Sequence, residues 1–380
     1  LTAARDELRR LRAAGQAGEG SAIIRIEPGE YFLKETLILT AEDSGTFESP
    51  VGWIGPGHGL VRISGGMAVT AWSKVPGRKQ LRVSDLSAQG LKDFGKLSRR
   101  GFGRDIVPSG LELFSNDRVM PLARHPNEGW LKVGHVEEAS NPPRFQFEDP
   151  ISKKWKGPFK DLWLHGYWSW DWADSHDPVT RFDPGTGTFE MPQVASWYGV
   201  KEGARFAILN CLEALDAPGE WWLDRERGLL YFWPPSDIRK ARVAVSVMDR
   251  PLIEIKGARH IQFEGVILEA GRDSGIRISD SEQCAIQGSV IRNFGTQGAV
   301  LEGGRDCAVR SCDIYGVGDT GVVLSGGDRA TLSLGGHRAD NNDIHHFGRW
   351  DRTYRPGIQV NGVRMLILRN HIHDAPHNAI

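Results

Sequence analysis

Two short stretches concentrate the residue types that grip polar substrates. Gly348-Arg349-Trp350-Asp351-Arg352-Thr353-Tyr354-Arg355-Pro356 holds three arginines, a tryptophan and a tyrosine within seven residues. Guanidiniums form forked hydrogen bonds to carboxylates and hydroxyls, and aromatic faces stack on the C–H faces of sugars. The competing account is a self-contained surface loop tied by Asp351–Arg pairs. The second stretch is His371-Ile372-His373-Asp374-Ala375-Pro376-His377, which falls in step with Asp343-Ile344-His345-His346. Neutral imidazole both donates and accepts, so these histidines suit a polar ladder lining a groove. Five histidines could also hold a metal, but no His-and-carboxylate spacing singles out a site. No metal and no other cofactor is expected.

Carboxylates decide hydrolytic chemistry. Glycoside cleavage needs two, ~5–5.5 Å apart for retention or ~6.5–9.5 Å for inversion. The acids in the last repeats are Asp319, Asp328, Asp343 and Asp374. None forms an unmistakable pair, and Asp residues at turns commonly cap them. Asp374 could orient a histidine or protonate a leaving group, and is the one catalytic candidate. The substrate-contact candidates are Arg349, Trp350, Arg352, Tyr354, Arg355, His373 and His377. A third stretch, Trp163-Leu164-His165-Gly166-Tyr167-Trp168-Ser169-Trp170-Asp171-Trp172-Ala173-Asp174, is the densest in aromatics. Most of its rings are expected to fill a packing interface, with one or two facing a ligand.

These residues must be positioned by a repeating framework. Gly275-Ile276, Gly298-Ala299 and Gly321-Val322 recur at 23 residues (298 − 275 and 321 − 298), as do Ile261, Cys284 and Cys307. A third column runs Ile267, Ile291, Ile314, Ile344, Ile372. A fixed period of this length marks a solenoid. The segments between the glycines are short, β-branched and alternating, which is strand chemistry without a helical stripe. The expected fold is all-β, a right-handed parallel β-helix of the pectate-lyase-like kind. Equivalent residues of successive coils then stack ~4.8 Å apart. The five isoleucines are expected as one buried inward ladder, and Cys284 over Cys307 as small core hydrophobes. Gly321 to Gly357 spans 36 residues, about 13 beyond the repeat, so the Arg349–Pro356 loop should leave the coil and overhang one face.

Residues 1–14 read as an amphipathic helix capping the solenoid, and residues 1–72 as this helix with the first coils. Residues 73–245 lose the rhythm and hold ten of the 13 tryptophans: Trp130, Trp155, Trp163, Trp168, Trp170, Trp172, Trp197, Trp221, Trp222 and Trp233. This is expected as an inserted Trp-rich antiparallel β domain, with coils again over 246–380. Glycine is 46 of 380 residues, as many tight turns require. A net charge of −1 gives no basic footprint for nucleic acid and no polybasic membrane patch. No apolar run is long enough to argue for a membrane span, and a monomer is expected. Four cysteines, with Cys307 and Cys312 five apart, match no common zinc spacing.

Several motifs together carry a resemblance: Pro28-Gly29-Glu30-Tyr31, Glu42-Asp43-Ser44-Gly45-Thr46, Ile63-Ser64-Gly65-Gly66, Ala123-Arg124-His125-Pro126-Asn127, Gly166-Tyr167-Trp168, Gly219-Glu220-Trp221, Arg349-Trp350-Asp351-Arg352 and His373-Asp374-Ala375-Pro376-His377. The chain resembles the large right-handed parallel β-helix proteins of bacterial polysaccharide utilisation related to glycoside hydrolase family 141, which are fucosidase- and xylanase-type enzymes. The resemblance implies an exported glycoside hydrolase acting on a plant or algal polysaccharide glycoside, with an oligo- or polysaccharide as its partner. In that family pattern, acidic Gly-Asp-Ala-Gly and Leu-Asp-Asp motifs follow the His-Asp-x-Pro-His coil by several coils. The resemblance therefore implies a catalytic Asp/Glu pair beyond residue 380, with the present residues forming one side of the groove. Two alternatives stand beside it. A polysaccharide lyase or uronate epimerase would use carboxylate-held calcium and a basic residue beside a uronate. A non-catalytic glycan-binding stalk would favour long regular coils, and the large insertion counts against it.

Overall fold

The computed structural model describes residues 1–17, 22–137, 143–157, 159–192 and 198–380. Trp197 of the tryptophan-rich stretch lies outside the described residues. The chain divides into two compact units. The first comprises Leu1–Met67, Ser246–Arg349 and Tyr354–Ile380; the second comprises Ala68–Val245 with Trp350–Thr353.

The first unit is all-β and solenoid-like apart from the helix Thr2–Ala13. Its strands form three parallel sheets that the chain visits in constant rotation. One sheet takes Ile23–Arg25, Val51–Ile54, Ile261–Glu264, Ala285–Gln287, Ala308–Arg310, Arg338–Asp340 and Leu366–Leu368. The second takes Gly29–Phe32, Val61–Ser64, Ile267–Gly271, Val290–Phe294, Asp313–Tyr315, Asp343–His345 and His371–His373. The third takes Leu37–Leu39, Ile253–Lys256, Ile276–Ser279, Ala299–Glu302, Val322–Gly326 and Ile358–Gly362. Each strand pairs in parallel with its equivalent one circuit later, so a column in the sequence becomes a stack in space. Ile276, Ala299, Val322 and Ile358 are successive partners, all fully buried.

The expected isoleucine ladder needs one correction. Ile267 pairs with Val290, and Leu268 takes the expected place opposite Ile291. The inward column is Ile63, Leu268, Ile291, Ile314, Ile344, Ile372. The step from Ile267 to Ile291 is 24 residues, one more than the repeat, and a one-residue slip along a strand moves a side chain to the other face. Ile267 is nonetheless only 5% exposed, so burial alone would not have revealed the slip. Cys284 and Cys307 do stack as buried thiols, adjacent to the paired Ala285 and Ala308.

Glycine is required where the coils turn between the second and third sheets. A Cβ on Gly275 would stand 2.7 Å from the carbonyl oxygen of Gly298. On Gly298 it would stand 2.7 Å from that of Gly321, and on Gly321 2.5 Å from that of Gly357. Contacts under 3.0 Å force the coils apart, so the glycine column holds the stacking distance. Inward polar side chains serve the turns between the first and second sheets. Asn342 Oδ1 accepts from the Cys312 amide at 3.0 Å, and Asn342 Nδ2 donates to Asn370 Oδ1 at 2.9 Å. Buried backbone groups are thereby satisfied where the ladders break. Helix Thr2–Ala13 buries Leu8 and is pinned by Arg9, which grips the buried Asp43 through Nε at 2.8 Å and Nη2 at 2.5 Å.

The second unit is antiparallel. The strand Arg205–Leu209 lies between Trp163–Tyr167 and the short strands Arg124–His125 and Leu131–Lys132. Ser175–Pro178 pairs with the other edge of Trp163–Tyr167. Its core is aromatic: Phe147 stacks on Phe189 at 5.0 Å, and Phe206 meets Phe145 edge-on at 5.3 Å. Within the segment Trp350–Thr353, Asp351 and Thr353 are buried in this unit while Arg352 is exposed. Arg100 and Asp351, 3% and 1% exposed, form an ion pair at 3.3 Å, and the Gly101 amide also donates to Asp351. Trp350 Nε1 donates to Glu112 at 2.9 Å, and Thr353 Oγ1 donates to Asp174 at 2.9 Å. No helix among the described residues is long and apolar enough to cross a membrane.

Ile314 sits fully buried between Ile291 and Ile344. Its truncation to Ala is expected to lower the unfolding free energy by about 2–5 kcal/mol, as for a buried aliphatic in a close-packed core. Urea unfolding of the variant checks this, and a loss well under 1 kcal/mol would mean the column is loosely packed.

Candidate functional site

Strand alternation projects two outward rows from the second sheet of the first unit, flanking the inward isoleucine column. One row is Arg62, Ile267, Val290, Asp313, Asp343, His371. The other is Ser64, Glu269, Arg292, Tyr315, His345, His373. At the lower coils the second row is an ion cluster. Glu269, almost wholly buried, accepts from Arg292 Nε at 2.9 Å and Nη2 at 2.7 Å, with Arg62 3.4 Å away. Arg292 Nη1 also donates to the Tyr315 hydroxyl at 2.9 Å. Above it the row becomes a stack of rings. Tyr315 and His345 are 4.9 Å apart and 9° from parallel; His345 and His373 are 4.8 Å apart at 15°.

The first row brings two carboxylates onto adjacent coils. Asp313 and Asp343 are direct strand partners, so their backbones are set by the ~4.8 Å strand spacing. His345 Nε2 lies 3.2 Å from Asp313 Oδ1, His373 Nε2 3.1 Å from Asp343 Oδ1, and His371 Nδ1 3.0 Å from the same oxygen. Both carboxyl side chains are about half exposed. Burial pushes the Asp313 carboxyl above its usual range; the charge of Asp343 pushes the same way, against the pull of His345. A carboxyl that holds its proton beside a second carboxylate is the arrangement acid-assisted bond cleavage requires. Asp343, His345 and His373 could also approach a cation, but the contacts above already occupy them with one another, with Asp313 and with His371.

The second unit holds a separate polar cluster. His165 Nε2 lies 3.0 Å from Asp174 Oδ2, and the His165 and His176 rings are stacked at 4.0 Å and 5°. Burial holds both imidazoles below their usual range, His176 well below. Burial pushes Asp174 upward, but the His165 contact and the Thr353 hydroxyl outweigh it and hold the carboxyl low. His165, Asp174 and His176 come close enough together to suggest a metal set. However, imidazole lone pairs lie in the ring planes, and an ion shared by two parallel stacked rings would sit out of both. The cluster reads as a buried hydrogen-bonded pair with a stacked neighbour.

The residues singled out in the sequence fall in three places. His373 and Asp374 join the imidazole–carboxylate rows, with His373 Nδ1 2.8 Å from Asp374 Oδ2. Tyr354 and His377 meet edge-on at 5.1 Å in the first unit. There Arg349 donates to the carbonyls of Gly316 at 2.8 Å and Phe294 at 3.1 Å, and Arg355 pairs at 3.1 Å with the fully buried Asp319. Trp350 and Arg352 belong to the second unit, where Trp350 is bonded to Glu112 and the charge of Arg352 acts on the Tyr167 hydroxyl. The loop is therefore not one cluster. Sequence reasoning missed Asp313 and Tyr315. The signal was available in Asp313-Ile314-Tyr315, Asp343-Ile344-His345 and His371-Ile372-His373, three polar–Ile–polar triplets that share one register.

No protein-family model matches the chain, and no curated protein matches it. Solved structures do. One named a glycoside hydrolase aligns at a TM-score of 0.73 with 17% identity, covering 92% of this chain and 70% of that one. Another, the complex of XylC with xylose, aligns at 0.52 with 13% identity, covering 95% of this chain and 55% of its own. At these identities the likeness is one of fold.

The Asp374 contact raises the His373 imidazole above its usual value, and Asp343 adds to the effect; the carboxyl of Asp374 is lowered in turn. A raised folded-state value means the interaction is complete below the ordinary imidazole pKa of ~6.5 and is lost as pH rises through the raised value. NMR titration of the His373 ring should show a midpoint above that of a free histidine, and Asp374→Asn should lower it. An unchanged midpoint in the variant would show that the contact does not hold in solution.

Proposed function

We propose that the chain is a carbohydrate-active protein that hydrolyses glycosides of a plant or algal polysaccharide, and that its first unit is a right-handed parallel β-helix of the pectate-lyase-like kind. The three parallel sheets visited in rotation and the fold likeness to a glycoside hydrolase and to a xylose-bound protein support this reading. The observation that carries it is the register pairing of Asp313 with Asp343.

Adjacent coils set the two backbones ~4.8 Å apart, and carboxyls carried side by side from them suit the ~5–5.5 Å separation of retaining enzymes. Asp313, whose carboxyl holds its proton to higher pH, gives that proton to the glycosidic oxygen as the C–O bond breaks. The Asp343 carboxylate attacks the anomeric carbon from the opposite face and forms a covalent glycosyl ester. Asp313, now ionised, takes a proton from water, which displaces Asp343 and releases the sugar with its configuration retained. His371 and His373 orient Asp343, and His345 orients Asp313. The flat Tyr315, His345 and His373 stack offers faces along the same row for a sugar to lie against.

A second reading is glycan binding by these residues with hydrolysis carried by acids beyond residue 380, as the family resemblance implies. The imidazoles already bonded to both carboxyls favour it, since each such contact must be shared with a substrate. One experiment separates the two. With aryl glycosides as substrates, Asp313→Asn and Asp343→Asn should each lower kcat by about 10²–10⁴-fold, the contribution of a positioned acid or base, with little change in melting temperature. Unchanged turnover in both variants would remove the pair from the chemistry.

A further inference from the structure

The second unit carries a group of guanidiniums that the hydrolytic chemistry does not use. Arg124 and Arg205 come from paired strands, Arg205 lies directly opposite Tyr167, and Arg352 comes from the Trp350–Thr353 segment. The Arg124 Cζ is 5.1 Å and the Arg205 Cζ 5.4 Å from the centre of the Trp130 ring, and Arg205 is 4.1 Å from that of Tyr167. Trp130 and Tyr167 meet edge-on at 5.5 Å. The charge of Arg352 acts on the Tyr167 hydroxyl, against the burial that raises it. Two guanidiniums thus lie against two half-buried aromatic rings, and the charge of a third, Arg352, reaches both Arg124 and Tyr167.

Carbonyls hold two of these guanidiniums in place without neutralising them: Arg124 donates to Pro126 and, at 2.7 Å, to Gly129, and Arg205 Nη2 donates to Asp171 at 3.0 Å. Of the carboxylates, Glu220 offsets part of the Arg124 charge, and the rest are engaged elsewhere or exposed. Asp174 is engaged by His165 and Thr353. Glu220 accepts from the backbone amides of Arg124, Asp216 and Ala217. Asp171 stands 3.4 Å from Arg205 Nε but is 91% exposed, and such surface pairs hold weakly. Arg205 Nε itself is buried without a hydrogen-bond partner. Burial pushes Arg124 below its usual range, and the like charge of Arg352 pushes it further. Like charges gathered in a partly dry place are costly unless an anion joins them.

We propose that Arg124, Arg205 and Arg352, with Trp130 and Tyr167, form a subsite for a sugar residue bearing an anionic group, the carboxylate of a hexuronic acid or a sulfate ester. The planar forks of arginine match both oxyanions, and the rings take the sugar's C–H face. The inference rests on the carbohydrate reading above and narrows it to acidic glycans. It is independent of where cleavage occurs.

Isothermal titration of the 380-residue chain tests it with four probes: oligogalacturonates, their fully methyl-esterified forms, sulfated galactan oligosaccharides and neutral xylo-oligosaccharides. An acidic probe should bind at least about tenfold tighter than its neutral counterpart, and its affinity should fall as salt rises. Arg352→Gln, at an exposed position, should weaken acidic binding about tenfold, the scale of one charge-assisted hydrogen bond, and leave neutral binding unchanged. Arg205→Gln is the second variant and should behave alike. Preference for oligogalacturonates names a carboxylate, and preference for the sulfated probe names a sulfate ester. Equal affinity for acidic and neutral probes, or acidic binding untouched in both variants, overturns the anionic subsite while leaving the carbohydrate reading in place. Failure of every glycan to bind removes both.

Discussion

The first unit depends on how closely one coil can lie upon the next. Gly275, Gly298 and Gly321 stand where each backbone almost touches the following one, and a single added methyl would meet a carbonyl at 2.5–2.7 Å. That contact leaves no freedom in the rise per coil. It forces the inward column from Ile63 to Ile372 to stack side chain on side chain, and it sends the flanking residues outward in two rows. Asp313 and Asp343 owe their spacing to sheet register and not to a loop. A rigid element of this kind holds reacting groups better than a connection does.

The second unit achieves rigidity by different means. Its interior is a mat of phenylalanine rings, and its polar interior is organised around charges that satisfy each other: Arg100 with Asp351, and Asp174 with His165 and Thr353. Buried ion pairs add little net stability against the water they give up. What they give is direction, because a guanidinium or carboxylate left unpaired in such a place would be far more costly than any rearrangement. The segment Trp350–Thr353 has one arrangement in which its charge, indole and hydroxyl all find partners.

Much of the framework was legible in the residues. The 23-residue glycine steps, the stacked cysteines and the capping helix are local in sequence, and periodicity reports them directly. The inward column was legible except at Ile267, where two adjacent aliphatics, Ile267 and Leu268, both fit the pattern and only pairing to Ile291 decides between them. The candidate site was read less well. The Arg349–Arg355 loop has the composition of a binding surface, yet Arg349 donates to the carbonyls of Gly316 and Phe294 and Arg355 is ion-paired with Asp319. Asp351 meets Arg100, a partner 251 residues away, and nothing local announces such a pair. Asp313 escaped notice for the opposite reason: a lone Asp at a strand edge looks like any turn residue until its partner on the next coil is known.

The membership of Trp350–Thr353 has a consequence for how the protein is made. The second unit begins at Ala68 and its main segment is complete at Val245, but its last pieces emerge from the ribosome only after a further 105 residues (350 − 245). Until then the Arg100 guanidinium, the Glu112 carboxylate and the Asp174 side chain have their contacts to Val107, Ser109 and His165 but not those to Asp351, Trp350 and Thr353. Domains ordinarily fold as units in the order they are synthesised. Here the nascent second unit must wait, half-satisfied, while several coils of the first are laid down. A chain stopped between Val245 and Trp350 would therefore lack these closing contacts in an otherwise finished aromatic core, a form well suited to capture by chaperones or proteases.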